Sequence, residues 1–448
     1  MMRDFELIVY REFPEGRDNL LHKMARLITE YEEGAVVRRN TAGGGTEQLM
    51  AGKFYGCIHS LLDQAATYGF YGNLWHCYLT HLLVTSENGY SRGCEMRGRA
   101  EGTINEAVLH DIAVFKDFFD YDFSPMCETL HVKEFRMVEN YEGGREETGV
   151  YNARICQCIC SLARNLSRTG TAKEMKDILT EFYGKYGVGR LGLHKCFRIG
   201  HGTQGEVRIE PIPRIAHVRL DDLVGYELQK KKLRENTDAF VAGKKANNCL
   251  LFGDAGTGKS SCIKAIANEY YDKGLRVIEV YKHQFQDLHE TIAHIKGRNY
   301  KFIIFMDDLS FEDFEIEYKY LKAVIEGGLE KKPENVLIYA TSNRRHLIRE
   351  NYGDKTEDGR LSDIRQDMHT SDTVQEKLSL AYRFGVTIYF GTPDKKQFQG
   401  IVKALAQRYG IGMPEEELLL EANQWELSHG GLSGRTAQQF IDYVLGKI

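Results

Sequence analysis

The first 186 residues carry apolar side chains at helical spacing. Leucine, isoleucine and aromatic residues recur every three or four positions, which is the period of an amphipathic helix. Short glycine-containing stretches at 43–45, 91–93 and 142–144 are typical of loops between helices. We therefore predict a mainly helical N-terminal domain over residues 1–186. Its predicted helices are residues 18–31, 47–71, 73–84, 103–119, 151–166 and 172–186.

The pattern changes at residues 187–219, where two short segments alternate apolar and polar side chains as strands do. These segments are residues 196–199 and 207–210, and Gly-His-Gly-Thr-Gln-Gly lies between them at 200–205. This G-x-G-x-x-G match does not join a strand to a helix, as a dinucleotide site requires, and no later kinase motif follows it. We predict a β-hairpin with a glycine-rich turn, followed by a linker.

From residue 220 onward, short apolar runs alternate with segments of helical spacing. Such alternation predicts a parallel sheet with helices on both faces. The predicted fold class is therefore an α/β core over residues 220–392, followed by three helices over residues 393–448. The predicted strands are residues 248–252, 275–281, 301–307, 335–341 and 386–390, and the predicted helices are 260–271, 284–296, 312–326, 374–382, 395–409, 414–428 and 434–446.

One long stretch, residues 344–372, interrupts this alternation. It is polar and contains several arginines among many acidic residues. A loop of this length within a compact domain is usually functional or disordered. Two interpretations stay open, namely a solvated, mobile face and a contact with another subunit or partner.

The composition restricts the class of protein. The chain has 448 residues, 42% hydrophobic and 27% charged, so it is long enough for two or three globular domains. Its formal net charge of −5 argues against a strongly basic nucleic-acid binder. The first residues are charged where a signal peptide needs an apolar core, and no apolar run reaches the roughly 20 residues that span a bilayer. We predict a cytoplasmic protein with no membrane partner.

Two groups of side chains in the helical part permit both a functional and a structural interpretation. Cys156, Cys158 and Cys160 lack the paired C-x₂-C spacing of a zinc site, and the first and last share one helix face. Aromatic residues such as Phe54 and Trp75 could stack on bases or fill a helical core. In both cases we predict core residues, with the ten cysteines reduced.

The main candidate site is the phosphate-loop pattern G-x-x-x-x-G-K-[ST] at residues 253–260. It lies between a predicted strand and a predicted helix, whose N-terminus attracts anions. The glycines let successive N–H groups face one phosphate. Lys259 supplies a positive charge near the phosphates, and the Ser260 hydroxyl suits Mg²⁺. The residues predicted to contact the nucleotide in this stretch are Gly253, Asp254, Ala255, Gly256, Thr257, Gly258, Lys259, Ser260 and Ser261.

An apolar strand that ends in Asp307 and Asp308 supplies the second part of this predicted site. The carboxyl ends of strands are where open α/β sheets bind ligands. We predict that Asp307 binds Mg²⁺, directly or through a water, together with Ser260. Asp308 is predicted to act as the general base that activates the attacking water. Glu312 and Asp313 are the alternatives for this base.

The order of these motifs resembles that of AAA+ P-loop ATPases. The phosphate loop and the Phe-Met-Asp-Asp strand are followed by Ala-Thr-Ser-Asn at 340–343, Tyr-Arg-Phe-Gly at 382–385 and Ser-Gly-Arg at 433–435. The resemblance covers about residues 220–448, and it is closest to the bacterial AAA-type ATP-binding family of unknown function. The segments that carry this closer likeness are residues 221–227, 307–311, 339–347 and 430–437.

The resemblance implies ATP and Mg²⁺ as ligands, a helical lid over residues 393–448, and roles for individual residues. Asn343 would be the sensor-1 residue that holds the attacking water or touches the γ-phosphate. Arg383 would be a finger that reaches the nucleotide of a neighbouring subunit, which implies a homo-oligomer, and Arg435 would be the sensor-2 residue on the lid. A structural or surface role is the alternative for both arginines. The residues implied to line the adenine pocket are Leu223, Val224 and Gly225.

The sequence departs from most AAA+ proteins because it carries Asp-Asp where they carry Asp-Glu. The side chain of Asp308 is one methylene shorter, so it would end farther from the attacking water. We predict ATP hydrolysis with Mg²⁺, coupled to conformational change or remodelling of an unidentified protein client. The alternative is a slowly hydrolysing, nucleotide-gated switch or loader, with association to nucleic acid left open.

Overall fold

The computed structural model describes residues 6–11, 19–38, 45–143, 150–311, 317–326, 333–343 and 383–447. The chain divides into two compact units, Met1–His194 and Lys195–Ile448. The predicted loop at 344–372, the predicted helix at 374–382 and the alternative bases Glu312 and Asp313 lie outside the described residues. The finer division of the chain into four segments stays a prediction.

The first unit is helical, and each of its six predicted helices is present. The first helix ends seven residues later than predicted, and all the other ends lie within three residues of the prediction. Its aromatic residues Phe54, Phe70 and Trp75 are buried in the helical core. Cys156 and Cys160 are buried in the same core, as their helical spacing predicts. The helices described in this unit are α1 (Leu20–Arg38), α2 (Gly45–Tyr68), α3 (Leu74–Thr85), α4 (Gly89–Arg97), α5 (Ile104–Asp120), α6 (Ser124–Leu130), α7 (Phe135–Glu139), α8 (Ala153–Ser167), α9 (Ala172–Tyr186) and α10 (Gly189–Leu193).

The predicted loop at 91–93 is wrong, because these residues lie inside α4. Asn88 caps this helix: its side chain accepts the backbone N–H groups of Tyr90 and Ser91, and the Ser91 hydroxyl accepts the N–H of Asn88. Gly93 allows Ala100 to approach this helix closely, because a Cβ at residue 93 would lie 3.4 Å from the Cβ of Ala100. A strong N-terminal cap therefore outweighs the helix-weakening glycine.

His81 of α3 lies buried in an aromatic cluster of the first unit. Its ring centroid is 4.6 Å from that of Tyr68, 5.7 Å from that of Phe70 and 5.8 Å from that of Tyr151. Its Nδ1 lies 3.3 Å from the Tyr151 hydroxyl. Burial disfavours the charged imidazolium and lowers the pKa of His81 to about 4.

The second unit contains a seven-stranded sheet. Its strands are β1 (Cys196–His201), β2 (Val207–Pro211), β3 (Cys249–Gly253), β4 (Leu275–Glu279), β5 (Lys301–Met306), β6 (Val336–Ser342) and β7 (Val386–Phe390). Their order across the sheet is β2-β1-β4-β5-β6-β3-β7. All neighbouring strands are parallel except β1 and β2, which form the predicted hairpin. The hairpin is continuous with the sheet, because β1 also pairs with β4.

Helices flank this sheet and continue beyond it, which confirms the predicted fold class of an α/β core with a helical first unit and C-terminal helices. In the part of the chain that the structure describes, every helix is too short or too polar to cross a lipid bilayer. The helices described in the second unit are α11 (Glu227–Val241), α12 (Lys259–Tyr270), α13 (Leu288–Ile295), α14 (Glu317–Glu326), α15 (Lys395–Arg408), α16 (Glu415–Ser428) and α17 (Gly434–Leu445).

The sheet topology brings the carboxyl ends of three strands to one place. β6 lies between β3 and β5, and both pairings are parallel, so the three strands end at the same edge of the sheet. All seven residues of β6 are buried, as are five of the six residues of β5. The polar side chains that follow these strands are thus held on a rigid, buried base.

Candidate functional site

The phosphate loop joins β3 to α12 and has a backbone that requires glycine. Gly253, Gly256 and Gly258 have φ angles of 132°, 74° and 89°, which side chains other than glycine rarely adopt. A Cβ on Gly253 would also lie 2.0 Å from the carbonyl oxygen of Phe390. Gly258 is the N-cap of α12, so no side chain at that position takes up the first N–H groups of the helix. These N–H groups and the helix dipole suit an anion.

Lys259 is held inside the loop by three oxygen atoms. Its Nζ donates to the carbonyl oxygens of Gly253 at 2.9 Å and Asp254 at 2.6 Å, and to Oδ1 of Asn343 at 3.0 Å. Only 6% of the residue is exposed. Burial lowers the pKa of Lys259, while three nearby carboxylates act in the opposite direction. The ammonium group is therefore held at the loop by two backbone carbonyl oxygens and one side-chain amide oxygen, and not by a hydrogen bond to one of these carboxylates.

Asp307 receives two hydroxyl groups on one carboxylate oxygen. Ser260 of α12 donates to its Oδ1 at 2.6 Å, and Thr341 of β6 donates to the same atom at 2.5 Å. The Ser260 hydroxyl and the Asp307 carboxylate are hard oxygen ligands from two different elements, which is the donor chemistry that Mg²⁺ prefers. These two residues fit the ion that the sequence predicts for them.

Asp308 has an unusual backbone conformation. Its φ is 51°, in the left-handed region that residues with a Cβ seldom occupy. Its N–H donates to the Thr341 hydroxyl at 2.9 Å. Its Oδ1 accepts a hydrogen bond from the side-chain amide of Asn343 at 2.7 Å. Asn343 thus joins Asp308 to Lys259.

These contacts form one continuous set of side chains at the carboxyl ends of β3, β5 and β6, which we call the carboxylate network. It connects predicted phosphate, metal and water-binding groups through hydrogen bonds of 2.5 to 3.0 Å. The carboxylate network consists of Lys259, Ser260, Asp307, Asp308, Thr341 and Asn343.

The N-terminus of α17 lies against the phosphate loop. The N–H of Arg435 donates to the carbonyl oxygen of Gly256 at 3.2 Å. A Cβ on Gly256 would lie 2.9 Å from the Ser433 hydroxyl oxygen and 3.1 Å from the Cβ of Arg435. Ser433 caps α17 by accepting the N–H of Thr436. Two helix N-termini, those of α12 and α17, therefore meet at the loop, and Arg435 is brought to the site.

Leu223, Val224 and Gly225 lie where the sheet core and the C-terminal helices meet. Leu223 packs against the core of the sheet, whereas Val224 packs against the core of α15, α16 and α17. Gly225 has a φ of 81°, and the following Tyr226 has a φ of 59°. The Tyr226 hydroxyl donates to the carbonyl oxygen of Gly391 at 2.8 Å. The segment that the resemblance assigns to the adenine pocket therefore lies between the sheet and the C-terminal helices.

Arg383 is engaged differently from the other predicted residues. Its guanidinium forms an ion pair with Glu326 at the end of α14. Both side chains are partly exposed, at 31% for Arg383 and 35% for Glu326. The carboxylate network and Arg435 come together at the phosphate loop, whereas Arg383 is paired with an acid of its own chain.

Several residues brace the loop, and sequence reasoning assigned none of them this role. The Asp254 carboxylate accepts both the N–H and the hydroxyl of Thr392 at 2.7 Å, and these bonds hold the pKa of Asp254 below its usual value. Thr257 donates to the carbonyl oxygen of Asp254 at 2.8 Å. Ala255 is exposed, and Ser261 is half-exposed in the first turn of α12. Thr341 is the most central of the residues that were missed, although its hydroxyl at the end of an apolar strand was a visible signal.

Residues 193–448 match the sequence profile of a family described as protein of unknown function (DUF815). The chain belongs to this family. The match begins two residues before the second compact unit, so DUF815 accounts for that whole unit, including the hairpin and the phosphate loop. The predicted resemblance to an ATP-binding AAA+ P-loop family of unknown function is confirmed. The DUF815 match does not extend over the helical first unit.

Solved structures of one protein are also similar to this DUF815 member. The RuvB Holliday junction branch migration motor of Thermotoga maritima is 14% identical, with 50% of this chain and 71% of that chain covered and a TM-score of 0.32. A single-substitution variant of the same motor is 15% identical, with the same coverage and TM-score. These likenesses are too distant to indicate a function. No curated protein matches the chain.

Proposed function

We propose that this protein binds ATP with Mg²⁺, hydrolyses it, and uses turnover to change the conformation of an unidentified protein client in the cytoplasm. The observation that carries this proposal is the carboxylate network. It joins the lysine of the phosphate loop to the pair proposed to bind Mg²⁺ and to a second acid with its own amide partner. Phosphoryl transfer depends on this combination of groups, because its catalysis is mostly positioning and charge stabilisation.

The phosphate groups of ATP bind to N–H groups of the phosphate loop and of the first turn of α12, and to Lys259. On phosphate binding, the Lys259 ammonium exchanges its carbonyl partners for anionic oxygens, which form stronger, charge-assisted hydrogen bonds. Arg435 adds a permanent charge from the lid side. The adenine ring lies in the segment from Leu223 to Gly225, between core and lid.

Hydrolysis requires a polarised γ-phosphate and an oriented water. Ser260 and Asp307 would hold Mg²⁺, which would supply positive charge to neutralise the phosphate oxygens. Asp308 accepts a proton from the attacking water, and Asn343, which contacts the same carboxylate, orients that water. Because Asn343 contacts both Lys259 and Asp308, it can respond to nucleotide at the loop and adjust the base.

Arg383 completes the site of a neighbouring subunit in this proposal. Such a finger acting in trans requires a head-to-tail contact and therefore a homo-oligomer. The pair with Glu326 does not prevent this, since a partly exposed ion pair is worth only about 1 kcal/mol or less.

A second function, a slowly hydrolysing nucleotide switch or loader, is favoured by one observation. The Asp308 carboxylate is already bound by Asn343, so it is less available to a water. The two functions are separated by comparing the steady-state rate of phosphate release with the rate of nucleotide exchange. In a switch, phosphate release is much the slower of the two. The net charge of −5 gives no support to a nucleic-acid partner.

Lys259→Ala tests ATP binding directly. We expect ATP affinity to fall about tenfold to a hundredfold, because a charged hydrogen-bond donor to phosphate is lost. The measurement is titration calorimetry with ATP and Mg²⁺, with thermal unfolding to verify the fold. Lys264→Ala is the matched control, since Lys264 lies exposed on the same helix. Unchanged affinity in the folded Lys259 variant contradicts the proposed site.

A further inference from the structure

Thr341 is a buried hydroxyl residue at the carboxyl end of β6, and only 2% of it is exposed. The parallel pairing of Met306 with Ala340 places the next residues, Asp307 and Thr341, side by side. The Thr341 hydroxyl donates to Oδ1 of Asp307 and accepts the N–H of Asp308. Its single hydrogen and a lone pair are thus both used, one on each of two consecutive acids.

Two consecutive acids at the end of a strand face a geometric problem. In extended backbone, neighbouring side chains point to opposite faces of the sheet. The left-handed φ of Asp308 breaks this alternation and lets its carboxylate reach Asn343. That conformation costs free energy in a residue with a Cβ, so it persists only where contacts fix it. Thr341 supplies the acceptor for the Asp308 N–H, and its carbonyl oxygen accepts the N–H of Leu309 at 2.7 Å.

Thr341 also fixes the other carboxylate. Oδ1 of Asp307 accepts hydrogen bonds from the hydroxyl groups of both Ser260 and Thr341, which belong to two different elements, α12 and β6. The carboxylate is therefore held in one rotamer before any ion binds. Asp307 and Asp308 thus have different side-chain partners although they are adjacent in sequence.

We propose that Thr341 is a positioning residue that sorts the two acids: it directs Asp307 to the Mg²⁺ site with Ser260, and Asp308 to the attacking water with Asn343. This inference rests on the proposed function. Thr341 touches neither nucleotide nor metal in this role, and it acts through the two carboxylates and the turn that carries them.

The test compares Thr341→Val, which keeps the shape and removes the hydroxyl, with Thr341→Ser, which keeps the hydroxyl. Thr237→Val is the matched control. It removes a buried hydroxyl of the same unit, where Thr237 bonds to Tyr339 of β6 away from the acids. For each full-length protein, the affinity of a fluorescent ATP analogue is measured in EDTA and across a Mg²⁺ titration. The kcat and KM for ATP are measured separately.

We expect Thr341→Val to bind the analogue in EDTA as the wild type does, because the loop is untouched. Its half-maximal Mg²⁺ concentration should rise about tenfold, and kcat should fall about tenfold to a hundredfold, the size of losing hydrogen bonds to a charged group. Thr341→Ser should restore both, and Thr237→Val should change neither.

Wild-type Mg²⁺ dependence and kcat in Thr341→Val overturn the role of Thr341 while leaving the proposed function intact. The same losses in Thr237→Val overturn it too, because they indicate a general effect on stability. If the valine variant does not fold, Thr341→Ala takes its place against Thr341→Ser. A wild-type protein that binds no Mg²⁺ and ATP overturns the proposed function and this inference together. If the wild type binds but does not turn over, the Mg²⁺ titration alone decides.

Discussion

Asp308 illustrates how backbone conformation selects a residue type at the site. Its φ of 51° lies in a region that asparagine and aspartate tolerate better than longer side chains do. A short carboxylate is thus compatible with the turn after β5, whereas glutamate at this position would be more strained. The Asp-Asp sequence, which departs from the usual Asp-Glu of AAA+ proteins, suits this turn.

Asp308→Asn is expected to separate binding from turnover. Asparagine tolerates the left-handed conformation and keeps an oxygen for Asn343, so the fold and nucleotide affinity should be retained. Loss of the base should lower kcat about a hundredfold or more. Steady-state hydrolysis and calorimetric ATP binding measure these two quantities, and Asp272→Asn, on the exposed turn before β4, is the control. A kcat within twofold of wild type would assign the base to another residue.

At the scale of residues, the sequence predicts which residue types form the site but not which partners their side chains contact. Lys259, Ser260 and Asp307 are recognisable because a phosphate site needs those residue types at fixed spacing. The contribution of Thr341 depends on the register of β5 with β6, which neither strand specifies alone. The pairing of Arg383 with Glu326 is equally non-local.

At the scale of helices and strands, periodicity predicts the elements that have a strong apolar pattern and misses those that depend on local interactions such as capping. The helix predicted at 284–296 begins as a 3-10 turn over Lys282–Asp287 and becomes α-helical only at Leu288. Helix α4 forms because Asn88 and Ser91 cap it, and α11 was not predicted at all. The hairpin was recognised, but its pairing with β4 depends on residues about 80 positions away.

His81 in helix α3 is expected to make the first unit less stable in acid. Because the pKa of buried His81 is about 4 and that of an exposed histidine is about 6.5, the unfolded chain binds the extra proton between these values. Stability is therefore fully present above about pH 6.5 and is lost as the pH falls, by about 3 kcal/mol at pH 4.

The measurement is urea unfolding from pH 7 to pH 4, followed by the fluorescence of Trp75 in α3. A Trp425→Phe background removes the other of the two tryptophans. His81→Gln should flatten the difference, whereas His59→Gln, which removes an exposed histidine of the same unit, should not. Parallel pH profiles for wild type and His81→Gln would show that His81 is not the source.

For the whole molecule, the proposed finger in trans predicts complementation between two inactive proteins. Lys259→Ala lacks a working loop but carries Arg383, and Arg383→Ala has the reverse defect. Mixed in equal amounts, about a quarter of the sites should combine an intact loop with an intact neighbouring finger, by random head-to-tail association. Steady-state ATPase activity of the mixture measures this.

In the control, one of the two variants is replaced by a chain that carries both substitutions. This mixture should have no ATPase activity, because no site in it combines an intact loop with an intact finger. A mixture no more active than its two inactive parts would place the finger within its own chain. Full activity of Arg383→Ala alone at low concentration would instead place Arg383 outside catalysis.

The pairing of β1 with β4 decides where the chain can be cut. A fragment begun at residue 220, where the motifs start, would lose both hairpin strands and leave β4 as the edge of the sheet. Val277 and Ile278 of that strand are buried, and an unprotected apolar edge recruits strands from other molecules. Such a fragment would aggregate on expression for reasons unrelated to its nucleotide chemistry. A cut that preserves the sheet has to fall before Lys195.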